Sequence, residues 1–141
     1  MRLAVLLPLG VLVLLAGSAR AARVTYSTGP FAVYCTSSGQ LCDPPETLTV
    51  VATAPRARIT RIEYDAPDAH CSSGRLHVAV DGREVARMRY VAARERTTLR
   101  RRINLRAGTH VFAFRFEGRT GGCNVGAVVS WGGTITLVGR G

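Results

Sequence analysis

The sequence predicts an all-β fold, an antiparallel two-sheet β-sandwich of jelly-roll or immunoglobulin-like kind. Three observations carry that prediction. Short stretches rich in Val, Ile, Thr and Phe alternate in polarity residue by residue. Turn signals such as Asp81-Gly82 and Ala107-Gly108 punctuate them at short intervals. No window of helical length sustains a 3.6-residue apolar period. Seven or eight such strands bury their apolar faces only by packing one sheet on another.

Each element has its own justification. Thr47 to Thr53 is rich in β-formers and runs into Pro55, which cannot continue a ladder. Ile59 to Tyr64 alternates, with Ile59, Arg61 and Glu63 on one parity and Thr60, Ile62 and Tyr64 on the other. Leu76 to Val80, Asp81-Gly82 and Glu84 to Val91 read as a hairpin, because Asp-Gly accepts the positive φ angles of a tight turn. A two-residue turn pairs Val80 with Arg83 and Val78 with Val85, placing Met88 and Tyr90 on the face of His77; a bulge flips that assignment. Thr98 to Leu105 carries Leu99, Arg101, Ile103 and Leu105 on one parity. After Ala107-Gly108 comes the clearest strand, with His110, Phe112, Phe114 and Phe116 on one face. Val125 to Trp131 and Ile135 to Val138 close the series as two further strands.

The amino terminus precedes this domain. Leu3 to Ala16 is an apolar run, shorter than the ~20 residues of a spanning helix. It follows the basic Met1-Arg2 and leads to an Ala19-x-Ala21 motif. This is the pattern of a secretory signal peptide over residues 1–21, cut before Ala22, leaving 22–141 as a single exported domain. The expected location is secreted or extracytoplasmic, in a periplasm or at a cell surface, with no membrane span after cleavage.

Export gives the four cysteines a meaning. The turn-rich stretch between Cys35 and Cys42 can close on itself, and Cys71 with Cys123 then follows by elimination. No pair has the C-x2-4-C spacing usual for structural zinc, and no metal or cofactor is expected.

Charge is the most informative feature. All 19 basic residues of the 141 are Arg, against 9 acids. Within 83–106 stand Arg83, Arg87, Arg89, Arg94, Arg96, Arg100, Arg101, Arg102 and Arg106, against only Glu84 and Glu95. Guanidinium groups bind carboxylate and phosphate in a fork and stay charged, so this segment suits a polyanion. Codon bias and ordinary solubility account for the same residues, and strict alternation keeps Arg100, Arg101 and Arg102 off one common surface. The segment's candidate ligand residues are Arg87, Arg89, Arg100 and Arg102. Trp131 joins them if its ring is exposed for stacking on a sugar; otherwise it is a core residue beside a disulfide.

Catalysis finds little support, and no catalytic residue is assigned. Asp65, Asp68 and His70 form the only cluster of acids with a His, readable as a calcium or acid–base site but accounted for by a turn after a strand. Ser72 and Ser73 lack a G-x-S-x-G context, and neither a phosphate loop nor H-E-x-x-H is present.

The stretch from Leu76-His77-Val78-Ala79-Val80-Asp81-Gly82 to Ile103-Asn104-Leu105-Arg106-Ala107-Gly108-Thr109-His110-Val111-Phe112-Ala113-Phe114 resembles secreted β-sandwich modules of the carbohydrate-binding and immunoglobulin-like kind. The resemblance covers about a third of the exported chain and implies architecture more than ligand. The expectation is a non-catalytic exported module that recognises a glycan or acidic envelope polymer through an Arg-rich face. The alternative is a structural or assembly protein of the envelope that meets an acidic protein partner. Export and the lack of an aromatic-rich binding motif argue against nucleic acid.

Overall fold

The computed structural model describes residues 22–35, 41–53, 57–68, 72–119 and 129–141. Residues 1–21, and with them the expected signal peptide, lie outside the described residues, as do Cys71, Cys123, His70 and the side chain of Cys35. Among the described residues there is no helix long and apolar enough to cross a membrane.

Eight strands follow in order: β1 (Arg23–Cys35), β2 (Glu46–Ala52), β3 (Arg58–Asp65), β4 (Gly74–Val80), β5 (Arg83–Val91), β6 (Arg96–Asn104), β7 (Gly108–Gly118) and β8 (Val129–Arg140). They form two antiparallel four-stranded sheets, β1-β8-β3-β6 and β2-β7-β4-β5. The pairs β1–β8, β2–β7, β3–β6 and β4–β5 are the rungs of one long hairpin, and β3–β8 and β4–β7 close it when it is rolled up. That is a jelly roll. An immunoglobulin-like sandwich, with its ABED and CFG sheets, has a different order.

The core lies between the sheets and follows from alternation. Phe112, Phe114 and Phe116 of β7 are each 0% exposed and meet Leu76 and Val78 of β4 and Ile62, Tyr64, Ile135 and Leu137 of the facing sheet. Burial of each phenylalanine contributes roughly 1.5–3 kcal/mol. Tyr64 donates its hydroxyl to the Gly132 carbonyl at 2.6 Å, and burial pushes its phenol well above the ordinary range.

One strand carries no sequence prediction, and one predicted break is corrected. The segment 23–35 is a full strand, hidden in the sequence because Gly29-Pro30 interrupts its alternation with a bulge against β8. The expected gap between Trp131 and Ile135 does not exist: β8 runs through Gly132 and Gly133 without a break. A Cβ there would stand 2.2 Å from the Phe31 carbonyl oxygen at Gly132 and 2.2 Å from that of Asp65 at Gly133. These glycines mark close backbone approach, the other meaning of glycine in a strand.

The hairpin register also resolves. Asp81 (φ 50°) and Gly82 (φ 83°) make a two-residue turn with Val80 opposite Arg83, as read. Irregularities then pair Val78 with Ala86 and His77 with Arg87. Met88 consequently enters the core, at 4% exposed, while Tyr90 stays on the side of His77. A second irregularity, where β3 advances from Ile59 to Arg61 as β6 advances from Ile103 to Arg100, breaks strict alternation and leaves Arg100, Arg101 and Arg102 all exposed.

Two candidate binding faces

The arginine-rich segment 83–106 is two edge strands. β5 borders one sheet and β6 the other, so Arg87 and Arg89 lie on a different sheet from Arg100 and Arg102. Charged edge strands resist pairing with other chains, which alone accounts for part of this density.

Ion pairing divides the segment further. Arg87 reaches Glu84 at 3.1 Å, Arg89 is paired with Glu95, Arg94 meets Asp68 at 3.0 Å, and Arg96 takes both oxygens of Asp65. Asp65 and Asp68, weighed as calcium ligands, are thus each engaged by an arginine. Among the described residues no carboxylate lies within ion-pair distance of Arg83, Arg100, Arg101, Arg102 or Arg106.

The uncompensated charge continues on β6's own sheet, from parts of the sequence outside the cluster. Arg140 of β8 stands directly opposite Arg23 of β1 on one side and Arg58 of β3 on the other. Arg58 in turn faces Asn104 of β6, so one ladder row crosses all four strands and carries three arginines. In the neighbouring row Arg61 lies opposite Arg100. Arg61 pairs with Glu63; Arg23, Arg58 and Arg140 meet no carboxylate among the described residues. Like charges directly opposite destabilise a sheet, and Arg58 and Arg140 are on central strands, where edge protection gives them no reason to be.

The outer face of the other sheet is built differently. Glu117 of β7 is at the centre, its side chain only 17% exposed. It accepts two hydrogen bonds from Arg75 at 2.9 Å, one from the Tyr90 hydroxyl at 2.9 Å and one from His77 Nε2 at 2.9 Å. Burial works to raise the Glu117 carboxyl, but hydrogen bonds from Arg75, Tyr90 and His77 outweigh it and bring it down to about 2. His77, only 7% exposed, also meets Glu84 through Nδ1 at 3.1 Å. Arg75 and Arg119 lie over the Tyr90 ring, at 5.0 and 3.8 Å from its centre. Here Arg75, Arg87 and Arg115 each meet a carboxylate.

Trp131 is on neither face. At 1% exposed it is a core side chain, with its indole nitrogen 3.4 Å from the Ser72 carbonyl oxygen. Gly74 and Gly118 make its space: a Cβ on Gly118 would lie 1.6 Å from the indole ring and one on Gly74 2.7 Å from it. A sugar cannot stack on a ring so enclosed, which corrects its candidacy as a ligand residue. Cys42 is only 2% exposed, and its amide donates to the Phe116 carbonyl at 2.8 Å. The expected cysteine pairings involve side chains outside the described residues.

No family model matches the chain, and no curated protein matches it. Among solved structures it is similar to a family 35 carbohydrate-binding module from an environmental isolate, at 13% identity and TM-score 0.45 over 81% of this chain and 91% of that one. It is similar to a family 35 carbohydrate-binding module from Clostridium thermocellum at 12% identity and TM-score 0.40, over 82% and 98% of the two chains. Dimeric latent PorU from Porphyromonas gingivalis is similar at 9% identity and TM-score 0.41; 88% of this chain matches 14% of that one. The likeness is one of β-sandwich architecture at low identity.

Proposed function

We propose that this chain is a non-catalytic binding module that holds an acidic polymer, an acidic glycan of the cell envelope above all, against the outer face of β1-β8-β3-β6. The observation that carries this reading is the row Arg23–Arg140–Arg58, two of its members on central strands and none neutralised among the described residues. Arg100 and Arg102 extend the same sheet's charge at β6. Arg87 and Arg89, engaged by Glu84 and Glu95, contribute less. Bidentate guanidinium groups spaced at the ~4.8 Å strand separation suit a chain of carboxylates or phosphates laid across the strands.

In this reading residues 1–21 direct export and are removed, and Cys35–Cys42 and Cys71–Cys123 close as disulfides in the oxidising compartment. Non-reducing peptide mapping of the exported protein should return those two pairs; any other pairing contradicts the loop placement. The binding itself is tested by retention on immobilised polygalacturonate against unmodified agarose. Retention that falls smoothly as salt rises is expected. No retention at low salt would end the proposal.

A further inference from the structure

The compensated face holds a second, independent feature. Ala113 of β7 and Ala79 of β4 are directly opposite one another on central strands, and the row continues to Thr47 on one side and Glu84 on the other. The next row is Arg115, His77 and Arg87, and Leu41 bridges to Glu117 beyond it. Two small side chains among large ones leave a trench. It measures ≈ 250 Å³, with Ala79 and Ala113 in the lining and Leu41, His77, Glu84 and Arg115 around them. That is just under the ~300 Å³ at which pockets for drug-sized ligands begin, so it suits one ring-sized molecule.

The polar groups of the trench state what kind of ring. Glu84 already meets His77 at one oxygen and Arg87 at the other, and Arg115 meets Asp43 at 3.2 Å. Their charges are therefore balanced before any ligand arrives. Hydrogen-bonding capacity is not exhausted: a carboxylate has about four acceptor positions and a guanidinium five donors. Both side chains remain 46% exposed. A ligand carrying charge would meet an opposite charge already engaged. A neutral one with adjacent hydroxyls can donate to Glu84 and accept from Arg115 while its C–H face rests on the alanine floor.

We propose that the Ala79–Ala113 trench is a binding site for one neutral sugar ring, separate from the arginine face on the opposite sheet. It does not depend on the polyanion reading. The probes are D-xylose, D-glucose, D-galactose and D-mannose with their β-1,4-linked tetramers, titrated in about 1 M salt, where the Debye length of ~3 Å silences the arginine face. Amide chemical shifts are read on the exported chain. At least one saccharide should move the amides of Ala79, Ala113 and Glu84 saturably. Ala113→Leu, which fills the trench, should weaken that binding at least tenfold, and Glu84→Gln, which keeps its shape, severalfold. Both variants should retain the wild-type fold by amide dispersion and the wild-type retention on polygalacturonate. The proposal is overturned if no saccharide in the panel shifts these amides, or if folded Ala113→Leu and Glu84→Gln bind as wild type.

Discussion

The two outer faces of this sandwich handle charge in opposite ways. On β2-β7-β4-β5, Glu117 and Glu84 tie Arg75, His77, Arg87 and Tyr90 into one network in which each group answers another. On β1-β8-β3-β6, arginines from β1, β8 and β3 stand side by side with no acid between them. The densest run of arginine in the sequence spans both edges, and four of its nine members are neutralised by nearby acids. Charge density along a chain is thus a poor guide to charge density in space. The row that matters joins residues 23, 58 and 140.

The largest expected effect is on stability and on the compensated face. Glu117→Ala strands Arg75, His77 and Tyr90 together, and urea unfolding should show a loss of about 3 kcal/mol. Arg58→Ala on the other face should change stability by no more than about 0.5 kcal/mol in either direction. Equal losses would erase the contrast between the faces.

Acid should expose the same network. The folded-state pKa of Glu117 is lowered from 4.5 to about 2, so its contribution is complete above 4.5 and is lost as pH falls from there toward 2. Glu117→Gln should flatten the acid limb of a stability–pH curve measured by chemical denaturation. An unchanged limb would mean that other carboxylates control it.

A smaller effect of the opposite sign belongs to the hairpin end. His110 is raised above 6.5, first by its 2.7 Å hydrogen bond with Asp81 and then by the Arg106 carbonyl. The stabilisation is therefore complete below 6.5 and is lost as pH rises through the raised value. Asp81→Asn should remove that decline; a decline that survives places its origin elsewhere.

Much of the fold was legible because alternation is local. The three phenylalanines of β7, the Asp81-Gly82 turn and the strands around Ile62 and Leu76 each carried their own signal. β1 was hidden because Gly29-Pro30 imitates a turn, and the continuity of β8 because Gly132-Gly133 does the same. The jelly-roll order was open beside the immunoglobulin-like one, since strand order is not written in any single window. The candidate site was less legible than the fold. Which arginines are neutralised depends on acids distant in sequence, 31 residues away for Asp65 and Arg96 and 42 for Glu117 and Arg75. Irregular register at β5 and β6 then moves Met88 inward and Arg101 outward against their parity. Trp131 could have been placed in the core from Gly74 and Gly118, but only once those glycines were known to face it.

The most direct measurement sets two double variants against each other on immobilised polygalacturonate across a salt gradient. Arg58→Ser/Arg140→Ser removes the centre of the uncompensated row, and Arg87→Ser/Arg89→Ser removes as much charge from the compensated face. The first should weaken binding about tenfold and shift elution to markedly lower salt, and the second should change binding by less than about twofold. Equal losses would make the interaction a matter of net charge alone. A larger loss from Arg87 and Arg89 would move the polymer to the other sheet and contradict the account.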